Sequence, residues 1–323
     1  MTGPSGTVHH LAATPETIQL GIFDARIPPA LVIGSGDTVM MECLSGGPEV
    51  MPADGAGFAI APVLRAIHEA GLPRIGTHMM TGPVAVRGAM PGDMLEIRID
   101  AVEPAADWGY CGIRPLAGTI PEDFDTRFMS HIPVDRARRT CRLPWGPELP
   151  LAPFFGIMGT APPRDWGRLS SREPRAFGGN LDNKELVAGS TLYLPVLVEG
   201  ANFSAGDGHG LQGDGEVCVN ALEMSLNGAF TLVLHKAPAD GAPLLRFPRA
   251  ETPTHWISMG LHEDLDQAMK QALREMIALI CARTSLSREQ AYQTCSLAVD
   301  FRVTQTVNGE KGVHGMLRKG LLF

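Results

Sequence analysis

The sequence contains no Cys-x-x-Cys pair: its six cysteines, Cys43, Cys111, Cys141, Cys218, Cys281 and Cys295, are scattered along the chain. That spacing encodes neither a disulfide framework nor a local thiolate zinc site, so the thiols are expected to be reduced and mostly buried. No apolar run approaches the length needed to cross a bilayer, and the opening Met1-Thr2-Gly3-Pro4-Ser5-Gly6 lacks the basic start and apolar stretch of a secretory signal. The expectation is a soluble cytoplasmic protein with no membrane contact. No basic cluster is present and the formal net charge is −8, which argues against a nucleic-acid partner. Also missing are a Gly-Lys-Ser/Thr phosphate loop with its βαβ context and a Gly-x-Ser-x-Gly nucleophile elbow, which removes two large enzyme classes.

What is present is ordinary globular composition, 44% hydrophobic and 19% charged over 323 residues, enough for one large domain or two moderate ones. Gly36-Asp37 and Gly92-Asp93 each open an apolar segment. In the second, Leu95, Ile97, Ile99 and Ala101 alternate with Glu96, Arg98 and Asp100, the period of a half-buried strand. Val84-Ala85-Val86 and the Pro91-Gly92 turn complete a hairpin with it. Ile60, Val63, Leu64 and Ile67 fall at helical spacing, with Gly71 as the stop. From Pro104 to Pro174 eleven prolines break any periodicity, predicting loops and short strands over the scaffold.

Three strands are expected at Thr191 to Glu199, Val217 to Leu226 and Ala229 to Lys236, with Pro195 pushing the first toward an edge or bulge. A helix from about Asp264 to Arg283 carries Leu265, Met269, Ala272, Met276, Leu279 and Ile280 on one face. A second helix follows Ser287 with Gln290 placed for a capping box, and alternation over Val299 to Val307 predicts a last strand. Strands do not alternate regularly with helices, so the pattern predicts a mainly β protein: a β-sandwich, jelly-roll-like core with helical additions near the C-terminus. Residues 1–323 are expected to form one unit, with a C-terminal α/β subdomain at about 250–323 as an alternative division.

Chemistry is densest at Gly206-Asp207-Gly208-His209-Gly210-Leu211-Gln212-Gly213-Asp214-Gly215-Glu216. Glycine permits positive φ and lets acids and imidazole converge, so the segment is read as a site loop preceding a strand. Asp207 and His209, two positions apart, point the same way if locally extended and form a candidate metal-ligand pair. Asp182, in Gly178-Gly179-Asn180-Leu181-Asp182-Asn183, and His78, before a strand, are further candidate ligands. Glu216 opens the following strand, where it could act as general base toward water. Glu223, seven positions on, is a second catalytic candidate, the weaker one because an unbroken strand turns it to the opposite face unless a bulge intervenes. Asn180 and Gln212 are assigned to substrate binding, Gln212 through its paired amide donor and acceptor.

At these residues the chain resembles the acetamidase/formamidase family. The matching pieces are Thr81-Gly82-Pro83-Val84 through Gly88-Ala89-Met90-Pro91-Gly92-Asp93, Gly178-Gly179-Asn180-Leu181-Asp182, Gly189-Ser190-Thr191-Leu192-Tyr193-Leu194-Pro195-Val196, Gly206-Asp207 with His209, Gln212-Gly213-Asp214-Gly215-Glu216, and Glu251-Thr252-Pro253-Thr254. The resemblance implies a β-rich sandwich, a homodimer, and hydrolysis of a short aliphatic amide to a carboxylate and ammonia, with a length similar to the shorter acetamidase branch. The chain departs from the family at Met90, where an acid is usual, and at Met79, where a proline or small residue is commoner; both positions bear on pocket shape.

The resulting expectation is a divalent cation, zinc first, held by some of His78, Asp182, Asp207 and His209, with Glu216 as proton acceptor. The competing readings are a binding protein with a structural calcium ion and hydrolysis of another C–N bond, N-formyl or cyclic.

Overall fold

Alternation in the Met94–Pro104 strand buries Leu95, Ile97, Ile99 and Val102 on one face, and that face belongs to a nine-stranded sheet. The burial phase changes after Ile99 because the register with Leu226–His235 slips between Ala229 and Phe230, a bulge that leaves Asp100 extra. In the computed structural model, which describes residues 6–323, the sheet runs Val8–Leu11, Asp37–Cys43, Leu226–His235, Met94–Pro104, Thr191–Pro195, Arg249–Glu251, His255–His262, Lys311–Arg318, Val299–Gln305. The opening Met1 to Ser5, part of the segment expected to lack a secretory signal, lies outside the described residues.

A second sheet of six strands covers the apolar face of the first. Its order is Gly178–Asn180, Phe154–Gly159, Phe203–His209, Met79–Val86 and Ile18–Leu20, with Leu31–Ile33 also pairing to Met79–Val86. The contact between layers is aromatic: Phe155 and Phe203 of the second sheet meet Phe230 of the first at ring-centroid distances of 5.3 and 5.5 Å. All three rings are fully buried, so each contributes on the order of 2–3 kcal/mol of transfer free energy. A mainly β sandwich with C-terminal helices is therefore what the chain forms. No helix among the described residues is long and apolar enough to cross a membrane.

The described residues form three α-helices: α1 (Pro62–Glu69), α2 (Leu265–Arg283) and α3 (Arg288–Ala298). Asp264 caps α2 by accepting from the Gln267 amide, and Ser287 and Gln290 form the expected capping box on α3. α2 lies directly on the first sheet at Gly260, where a Cβ would sit 2.0 Å from the Ala268 carbonyl oxygen. The strand that α2 covers continues into the same sheet as Val8–Leu11 and Asp37–Cys43.

Several expectations are corrected. Met79–Val86 and Met94–Pro104 are not a hairpin, because they lie in different sheets and the turn between them crosses from one layer to the other. Pro195 does not mark an edge: its strand sits between two others, and Pro195 is the last residue, paired with Met94. The proline-rich span holds a small sheet of Glu148–Pro150, Thr140–Arg142, Phe128–Asp135 and Trp108–Ile113, but also Phe154–Gly159, a wholly buried inner strand. Residues 217 to 225 form no strand; they turn, and only Glu223 makes isolated bridges, to Tyr110 and His209.

The Gly92-Asp93 turn works as a polar clasp between strands. Asp93 accepts from the Met90 and Ala237 amides at 2.8 Å each and from Lys236 Nζ at 2.6 Å. Burial alone would raise this carboxyl, but Lys236 and the two amides outweigh it and hold it below its ordinary value. A depressed folded-state pKa means stabilisation that is present above the unfolded value of about 3.9 and lost as pH falls through the folded one. Asp93→Asn is expected to lower unfolding free energy by about 1–3 kcal/mol at pH 7, with the gap to wild type narrowing below about pH 4. Urea titrations across that range measure it; a gap independent of pH would rule out the carboxylate as its source.

Candidate active site

The first part of the glycine-rich segment, through His209, is a strand and not a loop. Phe203–His209 runs through the middle of the second sheet with every residue buried. Gly206, Gly208 and Gly210 do not take positive φ. They are glycine because the face they present is pressed against neighbouring chain: an added Cβ would meet Met79 O at 2.1 Å, Met224 O at 2.4 Å and Met224 Sδ at 2.6 Å respectively. With one face filled by backbone, Asp207 and His209 share the other, as their two-residue spacing predicts.

Opposite Asp207 on the adjacent strand lies Gly156, the residue between the Phe155–Gly208 and Ile157–Gly206 pairs. A side chain there would strike Asp182 Oδ1 at 2.4 Å, Asp207 Oδ2 at 2.8 Å and His209 Cε1 at 2.9 Å. Gly156 thus clears the floor on which three functional groups meet. Sequence reasoning passed over it, and its signal, a lone glycine between Phe155 and Ile157, is shared by many strands.

His209 is the centre. Its Nε2 lies 3.4 Å from Asp207 Oδ2, 3.4 Å from Glu223 Oε1 and 3.9 Å from Asp182 Oδ1. Asp182, His209 and Glu216 form one group with ligand atoms within 4.8 Å of one another, and Asp207, His209 and Glu223 form a second. Gln212 is not on the wall of the cavity that opens above this cluster. It is buried behind the imidazole, where its Nε2 donates to the Asp182 carbonyl at 2.8 Å, so its Oε1 is the atom 2.9 Å from His209 Nδ1. An amide oxygen can only accept, so Nδ1 carries the proton toward it, and when the ring is neutral the Nε2 lone pair faces the carboxylates.

These distances fit a cation. They are too long for good N–H···O hydrogen bonds, and His209 Nε2, Asp182 Oδ1 and Glu216 Oε2 are buried with no hydrogen-bond partner. Ligands about 2.0–2.1 Å from a tetrahedral zinc are about 3.3–3.4 Å apart, the separation of Nε2 from Asp207 and Glu223. One imidazole with several carboxylates is a donor set suited to zinc, and its nitrogen makes calcium the poorer match.

The backbone is strained at this point. Of eight described non-glycine residues with positive φ, three are Asp182 (45°), Asp207 (55°) and Glu216 (45°). Such conformations cost on the order of 1 kcal/mol or more each and persist where the surroundings over-determine them. The acids therefore share the left-handed region with Gly178, Gly179 and Gly215 near them, while Gly206 and Gly208 on either side of Asp207 do not enter it.

Burial dominates the charge states. It raises the Glu216 carboxyl well above its usual range, with Asp182 adding to the rise. Burial likewise raises Glu223 and Asp182, in both cases against the opposing pull of His209. Asp207 goes the other way: burial would raise it, but His78 and His209 hold it low. For His209, burial favours the neutral ring, yet Glu223 and Asp207 outweigh it and raise its pKa. The same field that would hold a proton at Nε2 would hold a metal ion there.

Above the cluster opens a cavity of about 650 Å³ whose wall includes His78, Tyr110, Asn180, Asp207, Glu216, Glu223 and Asn308. His78 is half-buried on this wall, bonded through Nδ1 to Ser171 Oγ at 2.8 Å, and belongs to neither tight group. Asn180 lines the cavity with its Oδ1 buried and unpartnered. Met79 lines the cavity, whereas Met90 is 48% exposed in the Gly92-Asp93 turn and lies off the cavity wall. Glu216 opens no strand and Glu223 is not turned away: the chain turns between them, and both face His209.

Asn308, which the sequence did not single out, donates Nδ2 to Asp182 Oδ2 and to the Asn180 carbonyl at 3.2 Å. Its one signal is an Asn-Gly turn dipeptide far along the chain.

Zinc titration against a competing chelator tests this geometry. His209→Ala and Asp207→Asn are expected to abolish stoichiometric zinc binding, and Gln212→Met, which keeps side-chain volume but removes the Nδ1 acceptor, to weaken it by roughly 10–100-fold. Wild-type affinity in Gln212→Met would remove the proposed control of the tautomer.

Known proteins resemble this chain in sequence and in fold. The sequence model of the "Acetamidase/Formamidase family" matches residues 21–169 and 168–313. A protein of Schizosaccharomyces pombe assigned by name as a formamidase is 31% identical over 273 residues, covering 64% of this chain and 61% of its own length. The acetamidase of Mycolicibacterium smegmatis is 28% identical over 206 residues, covering 46% of this chain and 51% of its own. The chain thus spans between about half and about three fifths of the length of these curated relatives. The crystal structure of acetamidase from Bacillus halodurans is 30% identical and superimposes with a TM-score of 0.81 over 96% of this chain and 97% of that one. With the family match running through nearly all of the described strands, the chain belongs to the acetamidase/formamidase family.

Proposed function

We propose that this protein hydrolyses a short aliphatic amide to a carboxylate and ammonia, with a divalent cation, zinc in the first instance, held around His209. The observation that carries this is the unpartnered His209 Nε2, 3.4 Å from the Asp207 and Glu223 carboxylates, with its tautomer set by Gln212. The names of the matched acetamidase and formamidase relatives support the substrate class. Asp207, His209 and Glu223 would hold the ion, with Asp182 within reach; bound there, it would supply Lewis acidity toward water and the amide carbonyl.

The chain's own groups then do the proton work. Glu216 Oε2 is buried and unpartnered, and burial holds its carboxyl ready to be protonated, which suits a group that takes a proton from water and returns it to the leaving nitrogen. Asn180 Oδ1, also unpartnered at the cavity wall, would accept from the substrate amide N–H and aim its carbonyl toward the cluster. Asn308 fixes one oxygen of Asp182 and so leaves the other, Oδ1, free. His78, anchored by Ser171, stands at the rim of the cavity.

Ammonia release from formamide, acetamide, propionamide and a cyclic amide, measured before and after chelation, tests the proposal. Turnover of a linear amide, lost on chelation and restored by zinc, is expected; none on the whole panel would overturn it in favour of a binding role. Glu216→Gln is expected to lower kcat by roughly 10²–10⁴-fold with zinc content unchanged. Retained turnover would remove Glu216 from the mechanism.

A further inference from the structure

Outside the metal-ligating cluster, the described thiols make a single sulfur–sulfur contact: Cys111 Sγ lies 3.5 Å from Cys218 Sγ across 107 residues of sequence. Both are half-buried, and both thiols point at one acceptor, the Asn220 carbonyl, at 3.7 and 3.5 Å. Cys43, Cys141 and Cys295 are buried. Cys111 sits on the Trp108–Ile113 strand; Cys218 sits in the turning segment that carries Glu216 and leads to Glu223.

That segment is tied at both ends and, between them, by the Thr119 amide donating to the Val217 carbonyl at 2.9 Å. Gly215 is joined to the C-terminal strand region by its own amide bond to Thr304 O and by the Thr306 amide at 3.0 Å each, and Glu223 exchanges two backbone bonds of 2.9 Å with Tyr110. Between the ties lie Glu216 (φ 45°) and Val219 (φ 82°), both in the left-handed region. A β-branched residue there is disfavoured by sterics, so the segment keeps this shape only while its neighbours hold it. Cys218 is next to Val219 and two residues from Glu216.

We propose that Cys111 and Cys218 form a dithiol modification site, joined by a hydroperoxide into a disulfide that displaces the Glu216 segment. The control over hydrolysis rests on the proposed role of Glu216; formation of the link does not. The chemistry balances in two steps. One thiol of the pair, as its thiolate, attacks the peroxide oxygen, giving a sulfenic acid and releasing the alcohol or water. The second thiol then attacks that sulfur, forming the S–S bond and expelling water, so the two electrons lost by the sulfurs reduce the O–O bond. The sulfurs must close from 3.5 Å to about 2.05 Å. Cys111 is held in a paired strand, so the movement falls on the segment of Cys218 and draws Glu216 from the cluster.

The test uses the zinc-loaded full chain, exposed to hydrogen peroxide, quenched with N-ethylmaleimide, and mapped by peptide mass spectrometry without reduction. The expected result is a Cys111–Cys218 cross-linked peptide pair in the wild type, with hydrolysis falling by roughly 10²-fold and returning on addition of dithiothreitol. Cys111→Ser is expected to hydrolyse amide at the wild-type rate before treatment, to form no link, and to show a sulfenic acid trapped by dimedone at Cys218. Cys218→Ser, on the other partner, checks the same loss of linkage should Cys111→Ser fold poorly. Free Cys111 and Cys218 under conditions that oxidise Cys281 would overturn the proposal, and a link that leaves hydrolysis unchanged would overturn its control of the site. If untreated protein hydrolyses no amide, the proposed function fails while the mass map still decides this inference.

Discussion

Four carboxyl groups and one imidazole share a volume a few ångströms across beneath a sandwich of β-sheets, and that crowding governs the rest of the molecule. Like charges removed from water repel and lose their hydration together, so such a group survives only with a positive partner or with protons on some members. His209 is the basic side chain at the centre, fully buried and facing Asp182, Asp207 and Glu223 at once. A single imidazolium does not balance four acids. The raised carboxyls of Asp182, Glu216 and Glu223 express the remaining imbalance, and a divalent ion would relieve it.

The fold supplies what such a cluster requires of its surroundings. A buried strand places Asp207 and His209 two positions apart, and Gly156 on the next strand leaves their side free. Asn308 and Gln212 satisfy the outward-facing polar atoms, so the unpartnered ones point inward. The left-handed backbone at Asp182, Asp207 and Glu216 is held against its preference by the sheet pairing and turns on either side. Apolar burial around Phe155, Phe203 and Phe230 offsets that strain, which ties the stability of the core to the precision of the site.

Much of the fold was legible because its signals are local. Alternation marked Met94–Pro104 and Val299–Gln305, and Asp264, Ser287 and Gln290 marked the helix starts, since capping and period depend on residues a few positions apart. Of the site, Asp207 with His209, Asp182 and Glu216 came through as acids and imidazole among glycines. The function of those glycines did not. The whole segment reads as a loop, whereas Gly206, Gly208 and Gly210 lie flush against Met79 and Met224, which are far away in sequence or across a turn, and only Gly213 and Gly215 lie in the turn that follows. Glu223 was discounted on strand alternation, and the absence of a strand over residues 217 to 225 reversed the inference.

The sequence by itself determined the mainly β character, the capped C-terminal helices, and a concentration of metal-capable side chains between Asp182 and Glu223, because composition, period and spacing are properties of neighbouring residues. Only the tertiary structure decided which sheet each strand joined, that Asn308 and Gly156 belong to the site, that Gln212 stands behind His209 instead of facing the cavity, and that Cys111 touches Cys218. Those outcomes depend on pairing and burial between segments tens to hundreds of residues apart, and no local pattern specifies which distant backbone will close against a given face.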